Sequence, residues 1–347
     1  LLAKDYKKYN KQIIDLEKKI SNENEKPNFI GEDLRKRQYL SGLSVEDLEL
    51  ILHPMAEEGK EASGSMGDDT PVAVLSSHFR PVSHYFRQNF SQVTNPPIDS
   101  LRENKVMSLK TRFGNLGNIL DFDNLTEENI YVLDSPILTN SQFRKFKKFF
   151  SKKTKVIDCS FDISLSLKDR IEEIREEAET SVREGSTCLI LSDKNINTQR
   201  ASIPSILTVG AVHSHLVKHG LRGYCSLNVE CSDALDTHSF AVLIGVGATT
   251  VNPYLAIDSI FQRFEKKLFG KSDFESCVVK FKKSIDAGLL KIMSKMGISV
   301  ISSYRGGCNF EAVGLSRAIV SDYFPGMSSR ISGIGVTGIE KKIKELH

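Results

Sequence analysis

Apolar positions in this chain repeat with two different periods. Near the start, Tyr6, Tyr9, Ile13, Leu16 and Ile20 recur every three or four residues among Lys, Asn and Glu. That spacing predicts an amphipathic helix. Pro27, Asn28 and Gly31 break it, so residues 1–40 read as a helical arm or linker. A short helix is predicted after Ser44, where Val45, Leu48, Ile51 and Leu52 share a face. Ser44 and Asp47 there have the spacing of a capping box. From residue 72 the pattern changes to short apolar runs at 72–75, 131–133, 155–159, 187–191, 225–229 and 248–251. These runs are partly β-branched and not strictly alternating, which is the pattern of strands buried on both faces.

Helical patterns separate the runs. Leu167, Ile171, Ile174, Ala178 and Val182 form one stripe, ended by Gly185. The next helix is expected to be capped by Ser202, to carry Pro204 in its first turn and to stop at Gly220. Residues 263–290 read as a polar, Lys-rich insertion and helix. After Gly297, residues 298–301 read as a strand, 304–307 as a loop and 309–318 as a helix. Strand–helix–strand units of roughly 30 residues imply an α/β fold with a mostly parallel sheet and right-handed crossover helices. An incomplete (β/α) barrel-like arrangement and an open doubly wound sheet both satisfy this pattern.

Composition narrows the function classes. A chain of 347 residues holds one large or two modest domains. The net charge of +3 is small, and no basic face with interleaved aromatics points to nucleic acid. Lys145, Lys147, Lys148, Lys152 and Lys153 read as a solvated helix face. No apolar run approaches the roughly 18 residues of a membrane helix, and no signal peptide is recognised. The six cysteines never pair as C-x-x-C, as expected for reduced thiols in a cytoplasmic protein. The first residue is Leu1 rather than Met, as in a piece of a longer polypeptide.

Several positions are candidates for chemistry. Parallel α/β folds gather ligands at the carboxyl ends of their strands. Asp158, Ser192 with Asp193, Asn228 with Glu230, and Asn252 occupy those ends; the same residues can also cap the following helices. Gly64 and Gly67 permit a close backbone approach around Ser65 and Met66. Pro96 and Pro97 stiffen the segment that carries Thr94 and Asn95. Gly306-Gly307 resembles a weak phosphate-cradling loop next to Arg305, whereas residues 245–248 read as the turn ending a helix. On a helix, His215 and His219 share a face and His213 points elsewhere. No Glu follows His215 in the zinc-protease pattern, so no metal site is expected. No nucleophile–base pair is recognisable from spacing.

The stretches 53–71, 85–90, 92–99, 245–255 and 303–330, in that order, resemble the central domain of the glutamate synthase large subunit. That family makes glutamate from glutamine and 2-oxoglutarate with FMN and an iron–sulfur cluster. The resemblance favours the barrel-like arrangement, with fewer than eight units. It implies a central α/β domain over 41–296 and a truncated beginning of the FMN-binding domain over 297–347. In the parent, the resemblance implies, glutamine is hydrolysed to ammonia, which passes through the protein to 2-oxoglutarate, and the iminoglutarate is reduced by hydride from reduced FMN. This segment is expected to connect the two sites and to line the passage. Ser65, Met66 and Gly67 are then assigned to the substrate and flavin pocket, Thr94 and Asn95 to the passage or an interdomain contact, and Arg305, Gly306 and Gly307 to a flavin-domain loop.

No catalytic residue is assigned. Leu1 is not the family's N-terminal Cys nucleophile, and no closely spaced cysteines suit a cluster. The fragment alone is therefore expected to hold no cofactor and to be inactive. Its expected partners are the glutaminase and FMN domains of the same polypeptide, with a reductase subunit or ferredoxin outside it. The donor, NADPH, NADH or ferredoxin, is not encoded in this stretch. The reading from another class is a stand-alone α/β module that binds a small ligand at its strand ends. A reading frame extended on both sides separates the two.

Overall fold

The computed structural model describes residues 13–20, 24–62, 71–90, 99–113 and 129–347. The chain begins with β1 (Ile13–Asp15), a helical turn α1 (Glu17–Ile20) and α2 (Gly31–Leu40). A wide π turn at Asp47–Leu52 continues as α3 (His53–Glu58), followed by β2 (Phe86–Gln88), α4 (Ser100–Val106) and β3 (Thr111–Phe113). Next come β4 (Ile130–Leu133), α5 (Asn140–Phe149), β5 (Thr154–Asp158), β6 (Ser160–Asp162), α6 (Leu167–Arg183) and β7 (Cys188–Ser192). They lead to β8 (Arg200–Ser202), α7 (Ser205–Lys218), β9 (Ser226–Glu230), α8 (Thr237–Gly245), β10 (Thr250–Asn252) and α9 (Tyr254–Glu265). The last elements are α10 (Phe274–Met296), α11 (Ile301–Tyr304), β11 (Phe310–Leu315), α12 (Arg317–Tyr323), β12 (Ser328–Ile334) and α13 (Val336–Lys344).

The central sheet is parallel, with spatial order β10-β9-β7-β5. Consecutive strands step in one direction, so right-handed crossovers place α6, α7 and α8 on one face. Ile157, Leu189, Leu191, Leu227, Val229 and Val251 point into that core. On the other face Cys188 and Ile190 pack with Phe143, Phe146 and Phe150 from α5 and its end. A parallel bridge between Ile137 and Val251 lays the chain before α5 along the β10 edge. The fold is a mixed α/β arrangement, and the described residues form no closed barrel. Three small sheets surround it, ordered β1-β4-β3, β12-β11-β2 and β6-β8. No described helix is long and apolar enough to cross a membrane.

Many expected elements are present. The stripe from Leu167 to Val182 is buried along α6, and Gly185 takes a positive φ of 98° after it. Ser44 and Asp47 exchange the capping-box bonds: the Asp47 N–H donates to Ser44 Oγ at 3.0 Å and the Ser44 N–H to Asp47 Oδ2 at 2.9 Å.

Other expectations are corrected. Within the predicted N-terminal helix, Ile13–Asp15 is a strand paired in parallel with β4, because a short helix is only marginally stable by itself and the neighbouring edge offers an alternative pairing. Glu17–Ile20 is helical as expected, with Ile20 buried, and the parts of that prediction over residues 1–12 and 21–23 lie outside the described residues. The run at 72–75 forms a 3₁₀ turn with Leu75 exposed, not a strand. Ser202 sits in β8, and the α7 start is held instead by Asp233, which accepts from the Ser205 N–H at 2.9 Å. Residues 301–304 are helical, and only Val300 makes a strand-like bridge, to Ser108. The predicted helix over 309–318 is mostly β11. Phe310 and Ala312 are buried while Glu311 and Val313 are less so, a period of two that pairing on both edges enforces.

The contact of α7 with α12 rests on Gly210. A Cβ there would lie 2.2 Å from Phe324 Cε1 and 3.0 Å from the Tyr323 carbonyl. Phe324 is buried with its ring edge-on to Phe86, centroids 5.1 Å apart, so it has little room to yield. Helix propensity alone favours Ala over Gly by about 1 kcal/mol. Overpacking is expected to reverse that sign, and Gly210→Ala to destabilise the chain by about 1–3 kcal/mol in urea unfolding. A neutral or stabilising Gly210→Ala contradicts this packing.

Candidate functional site

The strand carboxyl ends do form a polar rim, but its groups are consumed internally. Asp193 is buried, and its Oδ2 accepts from Ser202 Oγ at 2.8 Å, the Ser232 N–H at 3.0 Å and Ser232 Oγ at 2.6 Å. Burial, and next the like charge of Asp233, push its carboxyl up to about 6. Among the described residues, Asp193 Oδ1 and the nearby Tyr254 hydroxyl have no hydrogen-bond partner. Glu230 is buried against Lys147 Nζ at 2.6 Å, Lys194 Nζ at 2.9 Å and Ser192 Oγ at 2.8 Å. Burial opposes its charge, yet the two lysines outweigh it and hold the carboxyl below its ordinary value.

Asn228 donates to the Leu189 carbonyl at 3.1 Å and accepts from Thr250 Oγ1 at 2.7 Å. Asn252 donates to the Leu138 carbonyl and to Asn140 Oδ1, each at 3.0 Å. Asp158 is shared by Ser160, Arg200 and Asn195. A void of about 10 Å³ remains among Cys159, Asp193, Ser205 and Glu230, the room of a single water.

Residues 24–30 then cover this end of the sheet. The N–H groups of Asn28 and Phe29 donate to Asp258 at 2.9 and 3.0 Å, and Asn140 Nδ2 donates to it at 2.8 Å. Lys194 Nζ reaches Asn28 Oδ1 at 3.0 Å, and Glu25 accepts from the Ser141 N–H at 3.1 Å. The Phe29 ring lies 3.6 Å from the Arg37 guanidinium carbon and edge-on to Tyr254. Burial pushes the Asp258 carboxyl up to about 7 against the pull of its N–H donors. Open α/β sheets bind ligands in the crevice outside their strand ends; here the chain's own segment fills that place. Asp258 was invisible to sequence reasoning. Its one signal is a lone acid inside the apolar run 254–260.

Beside the rim lies an open cleft of about 350 Å³, bounded by Asp47, Arg80, His84, Ser232, Asp233 and Asp236. Its carboxylates also have structural duties. Asp236 caps α8 through the Ser239 N–H at 2.9 Å, and Asp233 holds Ser205. Burial lowers the His84 pKa.

The Arg305–Gly307 loop grips the end of α8. Arg305 Nε donates to the Ala248 carbonyl at 3.0 Å, Arg222 Nη2 to the Gly247 carbonyl at 2.9 Å, and the Gly306 N–H to the Gly245 carbonyl at 2.8 Å. Cations and N–H donors suit the negative end of a helix. The Gly307 N–H turns to the Tyr304 carbonyl at 3.3 Å. Both glycine N–H groups are thus spent on backbone, which corrects the phosphate-cradle reading. His213 faces Arg222 at 3.1 Å, and burial, then Arg222 and Arg305, push it down to about 4. The turn predicted at 245–248 is present. The His215 and His219 rings lie together on one side of α7, centroids 4.3 Å apart and tilted by 43°, as their spacing requires. Ser65, Met66, Gly67, Thr94 and Asn95 lie outside the described residues.

Asp193 generates a pH prediction. Its folded pKa, about 6, exceeds the ordinary 3.8, so the folded state binds more protons than the unfolded one between those values. Its contribution to stability is complete below about pH 4 and is lost as pH rises through about 6, on the order of 3 kcal/mol in all. Asp193→Asn keeps an acceptor for the three donors on Oδ2 and places an amide where Oδ1 lacks a partner. The variant is expected to show a flatter dependence of stability on pH between 4 and 6, read by urea unfolding. A slope equal to wild type removes Asp193 as its source.

The glutamate synthase central domain family matches residues 36–316. The chain is 58% identical to the glutamate synthase [NADPH] large chain of Azospirillum brasilense over 318 residues, covering 91% of this chain and 21% of that protein. It is 42% identical to the corresponding large chain of Bacillus subtilis (strain 168), covering 91% and 21%. It is 38% identical to the ferredoxin-dependent glutamate synthase of Pyropia yezoensis, covering 91% and 22%. The chain thus spans about a fifth of the length of these curated relatives. Among solved structures, the flavin-binding domain of baker's yeast flavocytochrome b2 aligns with 85% of this chain and 96% of that one, at 12% identity and a TM-score of 0.41. That likeness is too distant to bear on function. With the family match running through most of the chain and its motifs in the family's order, the chain belongs to the glutamate synthase central domain family.

Proposed function

We propose that this chain is the part of a glutamate synthase large subunit that connects the glutaminase and FMN sites and lines the ammonia passage between them. The parent protein would make L-glutamate from L-glutamine and 2-oxoglutarate by reductive amination. The observation that carries this reading is the pairing of β2 with β11. Phe86, Arg87 and Gln88 of the 85–90 motif pair antiparallel with Ala312, Glu311 and Phe310. Gln88 also donates to the Asn309 carbonyl at 2.9 Å and accepts from the Tyr304 hydroxyl at 2.6 Å. The far end of the matched central segment is therefore built into a sheet with its 85–90 stretch, which supports reading the segment as a rigid connector. The covered strand ends argue against the stand-alone module.

The consecutive strand order supports reading the central sheet as part of an incomplete (β/α) barrel, with α5 filling the face that a closed barrel would enclose. The backbone of the Arg305–Gly307 loop does not fit a flavin phosphate, because its N–H groups are taken by carbonyls. FMN and an iron–sulfur cluster are assigned to other parts of the parent. A cytoplasmic location, and a reductase subunit or ferredoxin as electron source, belong to the same proposal. Ser65, Met66 and Gly67 are assigned to the flavin-side substrate pocket, and Thr94 and Asn95 to the passage, on their family resemblance.

In the full-length parent, Gln88→Ala is expected to leave glutamine hydrolysis near wild type while less glutamate forms per glutamine hydrolysed. Unchanged coupling in a variant that melts like wild type would argue against a connecting role for β2 and β11. Met66→Ala in the parent is expected to weaken the apparent affinity for 2-oxoglutarate about tenfold, ~1.4 kcal/mol, without changing glutaminase activity or flavin content. An unaltered response to 2-oxoglutarate removes Met66 from the pocket.

A further inference from the structure

Helices α6 and α7 pack side by side, tied in their middle by Arg175 Nε donating to the Ala211 carbonyl at 3.3 Å. Toward their outer end, Glu179 of α6 meets His215 of α7 and His219 just beyond it. Glu179 Oε2 lies 2.6 Å from His215 Nε2 and 3.8 Å from His219 Nδ1. One carboxylate oxygen and two imidazole nitrogens thus lie within 4.8 Å of one another. Spacing along α7 alone gives no third ligand, which is why the sequence argued against a metal. The acid comes from the neighbouring helix.

We propose that Glu179, His215 and His219 form a binding site for a divalent transition ion of the zinc class. Two imidazoles and one carboxylate, with a coordination position left for water, are a ligand set that suits zinc. Ligand atoms at about 2.0–2.1 Å from a tetrahedral ion lie about 3.3 Å apart. Reaching that spacing opens the His215–Glu179 contact and closes the His219–Glu179 gap, each by less than about 1 Å. His219 Nδ1 exchanges its 2.8 Å hydrogen bond with the His215 carbonyl for the metal. Arg183 holds Glu179 Oε1 at 2.8 Å, which leaves Oε2 turned toward the imidazoles and fixes the ligating carboxylate from behind. The side chains are 22%, 19% and 35% exposed for Glu179, His215 and His219, so a hydrated ion reaches them from solvent. The bound ion joins α6 to α7 and stabilises the folded chain by mass action.

The competing account is a hydrogen-bonded brace between the two helices with no affinity for metal. The test titrates chelator-treated chain with zinc chloride by calorimetry, with cobalt(II) absorption as a second readout. Wild type is expected to bind one equivalent of zinc with a matching rise in Tm. His219→Ala, at the exposed helix end, and Glu179→Gln are expected to bind at least tenfold more weakly. Cys308→Ser, which removes the exposed thiol, is expected to bind as wild type does. The proposal is overturned by no saturable zinc binding in wild type, by equal affinity in wild type and His219→Ala, or by loss of binding in Cys308→Ser.

Discussion

Alternate positions of β9 and β10 are polar and fully buried, and the surrounding structure depends on meeting their hydrogen bonds. Ser226, Asn228, Glu230, Thr250 and Asn252 are each at most 2% exposed. An unmet buried polar group costs about 1–3 kcal/mol, and breaking a buried ion pair about 3–5 kcal/mol. Helix α5 answers this need with Asn140 at its start and Lys147 near its end, on the same face as Phe143 and Phe146. The loop after β7 adds Lys194. One helix therefore covers the sheet with apolar rings and also completes its polar network.

That network continues outward into residues 24–30. Asn140 bonds both Asn252 and Asp258, and Asp258 receives the backbone of Asn28 and Phe29. The crevice that parallel sheets ordinarily offer to ligands becomes an internal joint. Such a joint is what the connecting role proposed above would use. It also explains why polar residues at strand ends, a sound cue for ligand sites in general, point here to packing.

A second joint forms at the end of α8. Arg222 and Arg305 converge on the carbonyls there, with no carboxylate partner among the described residues, and are compensated by the helix terminus. The loop carrying Arg305 leads through Asn309 into β11, whose edge is held by β2. Stretches about 220 residues apart, 85–90 and 303–315, are thereby joined by backbone pairing and by the bonds of Gln88.

The local sequence determined the α6 stripe, the capping box at Ser44, the turn after α8, and the runs that became β5, β7, β9 and β10. In each case the apolar period or the turn chemistry acts within a few residues. The ordered motifs also determined the family, because side-chain identity survives where geometry cannot be read. Tertiary structure decided the rest. Ile13–Asp15 and β11 became strands because neighbouring edges supplied their hydrogen bonds. The buried polar groups at the ends of β9 and β10 found partners only when α5 packed on that face, Glu230 with Lys147 and Asn252 with Asn140. Asp258 and Glu179 acquired meaning only when the fold brought Asn28, Phe29, His215 and His219 to them. Pairings across tens to hundreds of residues leave no periodic trace in the chain, since they depend on where whole elements pack and not on the spacing within one.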